Sequence, residues 1–278
     1  MLKKKLTGHM LTSRKAPEPL MLAFIFLALV LLLFVVVTLA NMVIEQVVTD
    51  LPALINAACE KSVIKSISLS MYAGLVATLI SMVLGIPAAY ILARKDFFAK
   101  GFVESVLDIP VVVPHTVAGI ALLTIFGANG LLGAPLESYI QFRDAFAGIV
   151  IAMVFVSAPF LTNSVREGFQ NIDPRLENTA RSLGAPMWKA FLFVTLPLAA
   201  RHIMAGSIMC WARAISEFGA VVIIAYYPMI GPTLVYDRYL SYGLSASRPI
   251  AVLLILVTLT IFIAVRLISA GWRLYDKD

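Results

Sequence analysis

The chain has 278 residues, of which 60% are hydrophobic and only 14% are Asp, Glu, Lys or Arg, against about 25% charged in an ordinary soluble domain. With a mean hydropathy of +0.92, these totals exclude a soluble enzyme, a disordered chain and a secreted disulfide scaffold, and leave a polytopic membrane protein. The excess of 22 Lys and Arg over 16 Asp and Glu then reads as basic residues gathered in cytoplasmic loops against the lipid bilayer, not as a nucleic-acid surface.

Residues 1–18 form a basic cytoplasmic segment carrying Lys3, Lys4, Lys5, Arg14 and Lys15. Pro19–Ile44 follows with 26 uncharged residues. That is longer than the apolar core of a signal peptide, about 7–15 residues, so it reads as a retained first span. Apolar windows long enough to cross a bilayer, roughly 20 residues, recur along the chain. They predict six transmembrane helices at about 19–44, 66–93, 103–126, 145–165, 199–226 and 249–272. The third ends early because Gly127-Ala-Asn-Gly130 is a turn signal. The expected fold is an all-α, six-helix transmembrane domain over 19–272, followed by a cytoplasmic tail at 273–278.

Lys and Arg set the orientation. With the N-terminus inside, the inner segments hold 15 of them and the outer loops 5, Arg213 and Arg266 falling within helices. The expected topology is N-in, C-in. One inner segment stands apart. Residues 166–198 carry Arg166, Glu167, Asp173, Arg175, Glu177, Arg181 and Lys189 among apolar residues. Asp173-Pro174 is a helix-start signal, a capping carboxylate followed by Pro at the first helical position. Leu176, Ala180, Leu183 and Gly184 then recur at three- and four-residue steps, and Gly184-Ala-Pro186 stops the helix. A second short helix is expected from Met187 to about Thr195, before Leu196-Pro197. The competing reading is an amphipathic helix lying on the lipid surface.

Catalytic sets are missing from the sequence. It has no G-x-x-x-x-G-K-[ST], H-E-x-x-H, G-x-S-x-G or C-x-x-C. Cys59, Cys210 and the scattered His9, His115 and His202 offer no metal spacing. A non-catalytic chain with neither cofactor nor metal is expected. Uphill transport would then draw on an ion gradient or on another polypeptide.

Leu176-Glu-Asn-Thr-Ala180-Arg-Ser-Leu-Gly184, followed by Val194-Thr-Leu196-Pro197, resembles the EAA loop of ABC importer permeases, E-A-A-x3-G-x9-I-x-L-P. Asn178 stands at the Glu position and Thr179 at the first Ala, with Glu177 adjacent; Val194 replaces Ile. Trp211-Ala-Arg213-Ala-Ile-Ser-Glu217-Phe-Gly219-Ala220 is similar to a segment of the molybdate, tungstate and sulfate permeases. So is Asp108-Ile-Pro110-Val-Val-Val-Pro114-His115, where His115 replaces a second Pro. Tyr226–Tyr239 resembles the archaeal-type molybdate/tungstate branch most. The likeness covers roughly residues 60–272.

The resemblance implies a type I importer permease fold working as a homodimer. It also implies two ATP-binding subunits, each docked on the loop, and an external oxyanion-binding protein delivering the substrate. The residues implied in coupling are Glu177, Asn178, Thr179, Ala180, Gly184, Ala185, Pro186, Leu196 and Pro197. Molybdate or tungstate is the expected cargo, with sulfate as the alternative. A stand-alone, gradient-driven anion transporter is the rival from another class, and it leaves the EAA-like element without a task.

Charges inside a span are expensive, about 3 kcal/mol each at the centre of a helix, so Arg213 and Glu217 should face protein or water. They read either as a structural pair fixing helix 5, the preferred view, or as part of the translocation path. Asp108, Pro110 and Pro114 mark a bendable start to helix 3. Gly74, Gly85, Gly119 and Cys210 are expected at packing contacts, and so is His115, as a polar packing residue. Asp237 and Arg238 lie where an external partner would approach.

Overall fold

The computed structural model describes residues 19–274, with side chains through residue 267. The basic N-terminal segment and the last four residues of the tail lie outside the described residues. All the regular structure among those described is helical. The chain divides at Thr49 and Asp50 into two units.

The first unit is the N-terminal part of α1 (Pro19–Cys59). From Pro19 to Val37 it is apolar on every side, an unbroken run dominated by Leu, Val and Phe. The helix is interrupted at Asp50 (φ −153°, ψ 67°), where the Asp50 carboxylate accepts the Ala53 amide at 3.0 Å. Pro52 has no N–H to continue the ladder, so Asp50 caps a new helix start that runs on to Cys59.

In the second unit, α2 (Lys61–Arg94), α6 (Phe146–Gln170) and α10 (Ala200–Ile215) pack against one another as its centre. Small residues let them approach. A Cβ added at Gly74 would stand 2.9 Å from Ile215 Cγ1, and one at Gly85 would stand 2.7 Å from Thr162 Oγ1. Ala73, Ala77, Ala152 and Ala214 are fully buried in the same contact region. Lipid supplies no hydrophobic drive between helices, so such close backbone packing is how they associate. Buried hydroxyls bond back to the helix they belong to: Thr78 to Gly74 O at 2.8 Å and Ser157 to Met153 O at 2.6 Å. In hydrocarbon a polar group needs an internal partner.

The stretch expected as one helix over 103–126 is two. α3 (Lys100–Val112) and α4 (His115–Phe126) meet at an angle of 112°. Pro114 provides no amide for the ladder, and Val113 before it is extended (ψ 132°), as residues preceding Pro are driven to be. A one-turn helix, α5 (Gly133–Leu136), follows the turn at Gly127–Gly130.

After α6 come α7 (Pro174–Ser182), α8 (Met187–Ala190), a π-helical stretch (Phe191–Thr195) and α9 (Leu196–Leu198). This string bends by 70° into α10. The helix expected to run from 199 to 226 stops at Ile215 and resumes only as α11 (Val221–Ile224). Phe218 and Gly219 intervene, and the Glu217 side chain takes over one backbone amide, as described below. α12 (Gly231–Tyr242) and α13 (Leu244–Leu274) close the chain. Among the described residues four helices are long and apolar enough to span a membrane, and counting each bent pair as one span brings the number up to six.

Candidate functional site

Two groups of polar residues stand out against this apolar frame. The first is the element from Asp173 to Leu198. Asp173 caps α7 by accepting the Arg175 amide at 2.9 Å, with Pro174 at the first helical position. The helix ends in a Schellman motif: the Ala185 amide reaches Ala180 O at 3.1 Å and the Gly184 amide reaches Arg181 O at 3.0 Å. Gly184 sits at φ +94°, while a Cβ there would meet nothing within 4 Å. Backbone conformation, not crowding, asks for glycine here.

α7 faces two ways. Outward, Asn178, Arg181, Ser182, Ala185, Pro186 and Met187 line an open groove of about 510 Å³. Leu183 beside it is 84% exposed, and Trp188 and Phe193 are exposed too. Thr179 is also exposed, while Ala180 and Leu196 are half-buried and Pro197 is exposed.

Inward, Glu177 is buried, unlike its neighbour Asn178. Its carboxylate accepts the Tyr90 hydroxyl and, at 3.1 Å, the Thr195 hydroxyl. Arg94 lies with Nε 3.7 Å from Glu177 Oε2 and donates from Nη1 to Ile172 O at 3.0 Å. Tyr90 is itself set by edge contacts with Phe169 and Phe191, ring centres 5.6 and 4.9 Å away. A buried carboxylate between two hydroxyls and a guanidinium ties α7 to the end of α2 and to the π-helical stretch. Sequence reading selected Glu177 but missed Tyr90, Arg94 and Thr195. The available signal was an aromatic and a basic residue four apart at the end of a span, so on one helical face.

The second group joins the two helix breaks. Arg213, in the last turn of α10, donates from Nη2 to Glu217 Oε2 at 2.8 Å and to His115 Nε2 at 2.7 Å; its Nη1 lies 3.3 Å from Ser216 Oγ. Glu217 is 1% exposed, and its other oxygen accepts the Ala220 amide at 2.8 Å. The pair expected within one helix therefore spans a helix end, with Glu217 capping the chain where it re-forms as α11. His115, read from sequence as a packing residue, is the first residue of α4 and a direct ligand of Arg213. Backbone approach holds the breaks together. A Cβ at Gly219 would stand 2.7 Å from His115 Cβ, and one at Gly119 would stand 2.7 Å from Ala220 O.

Asp108 accepts Asn163 Nδ2 at 2.7 Å and Glu104 pairs with Arg166 at 3.0 Å, so α3 is tied to α6 by two polar contacts one turn apart. Pro110 is buried within α3, and Pro114 marks the bend. Within α12, Asp237 accepts the Tyr226 hydroxyl at 2.8 Å and Arg238 pairs with Glu60, so both are engaged within the chain. Among the described residues no three His, Cys, Asp or Glu side chains gather as metal ligands.

The described residues are all helical, with a capped loop element between apolar helices and a polar cluster at paired helix breaks, the build of a polytopic membrane protein. Solved structures carry the same fold. A bacterial ABC transporter importing the acidic polysaccharide alginate aligns with a TM-score of 0.71, covering 91% of this chain and 95% of that one at 14% identity. The family model described as binding-protein-dependent transport system inner membrane component matches residues 81–273, and the chain belongs to that family. The molybdate/tungstate transport system permease proteins WtpB of Thermococcus kodakarensis and Pyrococcus furiosus are 42% and 43% identical, over 87% and 88% of this chain and 93% of each relative. The probable sulfate transport system permease protein cysT of Chlorokybus atmophyticus is 30% identical over 98% of this chain and 94% of its own length. The chain is a non-catalytic, multi-pass inner-membrane component of an ABC importer.

Proposed function

We propose that the chain is the permease of an ATP-driven importer of molybdate or tungstate. Identity above 40% over nearly nine-tenths of the chain to two permeases named for that transport supports this reading. Two copies form one path, each copy crossing six times with both termini in the cytoplasm. An external binding protein delivers the oxyanion.

Each copy holds one ATP-binding subunit through the outward side of α7 and the groove beside it. Asn178, Thr179, Ala185 and Pro186 face that partner. Ala180, Gly184, Leu196 and Pro197 shape the element, and Glu177 carries its movement inward. Asp108, Pro110 and Pro114 let α3 and α4 change their angle as the path opens, and Arg213 and Glu217 fix the break against which α4 rests. A tightly capped element tied by a buried carboxylate to a central helix fits a moving partner better than it fits a helix resting on lipid.

The test is reconstitution. The chain is co-expressed with candidate ATP-binding proteins from its source, and the purified complex is placed in liposomes with the oxyanion-binding protein. ATP-dependent uptake of molybdate or tungstate, with an ATP-binding subunit at one per chain, is expected. Uptake by the chain alone would favour a stand-alone transporter, and uptake of sulfate in preference to both would move the substrate assignment.

A further inference from the structure

Arg213 has its acceptors arranged by side. On the protein side Glu217 is fixed: it is 1% exposed, one oxygen is held by Arg213 and the other by the Ala220 amide. On the open side stand Ser216, which is exposed, and the His115 ring, whose side chain is 40% exposed. A guanidinium can only donate, so the His115 ring accepts from Arg213 Nη2, which lies 2.7 Å from Nε2 and 3.4 Å from Nδ1; Nδ1 is 3.7 Å from Glu217 Oε2. The acceptors on the open side of Arg213 are thus a ring nitrogen and a hydroxyl, while its carboxylate partner is buried. An oxyanion offers a guanidinium charge attraction and two parallel N–H···O bonds, which a ring nitrogen and a hydroxyl do not. A tetrahedral oxyanion reaching this break outcompetes His115 and Ser216 for Arg213, yet cannot displace the buried Glu217. Glu217 in turn offsets part of the pull that a bare arginine would exert, and His115 reclaims Arg213 as the anion leaves.

We propose that Arg213 is a transient contact for the oxyanion during passage, and that His115 is the exchangeable acceptor it displaces. This rests on the import reading above. It assigns to His115 a role beyond packing, and it explains why a charge sits beside two broken helices where a continuous apolar helix would pack as well. Intramembrane charges that remain partly open belong in water-filled cavities or against protein.

The experiment uses the reconstituted complex of chain, ATP-binding subunit and binding protein. In a Cys59→Ser background, with Cys210 buried, His115→Cys is exposed to an anionic methanethiosulfonate while the complex turns over ATP. Labelling, slowed at least about threefold by molybdate or tungstate as a competing anion for the same guanidinium, is expected. No labelling in any nucleotide state, or labelling that the oxyanions leave unchanged, overturns the proposal. In parallel, His115→Ala should lower kcat for uptake about tenfold without raising KM, since Arg213 then keeps the anion. His115→Gln, whose amide oxygen accepts from Arg213, should recover most of the rate. Uptake by His115→Ala at the wild-type rate also overturns it. Absence of ATP-dependent uptake by the unmodified complex would be a failure of the import reading; normal wild-type uptake with indifferent His115 variants would be a failure of this inference alone.

Discussion

Removing the Glu177 carboxylate should loosen α7 from α2 while leaving the rest of the chain folded. Glu177→Ala deletes the acceptor for the Tyr90 hydroxyl and for Thr195 at 3.1 Å, and the counter-charge 3.7 Å from Arg94. Arg94 is 9% exposed, and its Nε and Nη2 have no hydrogen-bond acceptor in the structure. Breaking such a buried pair by removing one partner costs about 3–5 kcal/mol. Tyr90→Phe removes one bond to a charged group, about 1.5–3 kcal/mol. The measurable quantity is the local opening of α7, read from amide exchange over Pro174–Leu183 with the chain in lipid nanodiscs. At 1.4 kcal/mol per tenfold, exchange should rise about 100- to 4,000-fold for Glu177→Ala and at least about tenfold for Tyr90→Phe. The two changes should be strongly non-additive, because each removes the same bond. Exchange in α7 unchanged by Tyr90→Phe, with α2 and α6 still protected, would refute the latch.

Three further outcomes follow from named contacts. Gly184→Ala, forced to φ +94° with no steric conflict beyond its own backbone, should cost about 1 kcal/mol in the α7 cap and reduce retention of the ATP-binding subunit on purification. Gly119→Val should be far more damaging, because its side chain would drive into Ala220 O, 2.7 Å from the first added carbon; membrane abundance of the chain should fall on immunoblot. Glu217→Ala leaves Arg213 without its carboxylate and the Ala220 amide without an acceptor, so uptake per permease should drop, and uptake equal to wild type at normal abundance would remove Glu217 from both the structural and the path roles.

The broad architecture was legible because lipid imposes long apolar runs, and those are visible in one sequence. The helix breaks were less so. Pro114 announced a bend, but its 112° depends on α4 finding the 219–223 segment to lie against, a contact between residues about a hundred apart. The end of α10 at Ile215 was hidden because Arg213-Ala-Ile-Ser-Glu217 continues a helical pattern, and only the Glu217–Ala220 bond reveals a cap. In the loop, Asp173, Pro174 and Gly184 announced α7 through purely local chemistry. Glu177 and Asn178 could not be told apart, since one residue of helical rotation, about 100°, separates the inward carboxylate from the exposed amide. The inward side is decided by Tyr90 and Arg94, which no local pattern connects to the loop.

The contacts also divide the second unit into parts that can and cannot move separately. α2, α6 and α10 meet through glycine and alanine at van der Waals distance, an arrangement that tolerates little sliding because interiors are close-packed. α7 is fastened to this block through Glu177 and Tyr90, so a displacement imposed on α7 is carried by the block as a whole. α3 is attached differently, by Asp108–Asn163 and Glu104–Arg166, polar contacts one turn apart that can exchange partners where hydration allows. α4 is pinned at the opposite end by Gly119 and by His115 on Arg213. Under the proposed coupling, a force on α7 meets this block, and the Val113–Pro114 bend, where the helix ladder is already interrupted, is the joint that yields. Cross-linking α3 to α6 by a cysteine pair in place of Asp108 and Asn163 should accordingly arrest uptake while ATP-binding subunits remain attached, and restoration of uptake by a thiol reductant would separate arrest from misfolding. Uptake that persists with the cross-link complete would place the moving joint elsewhere.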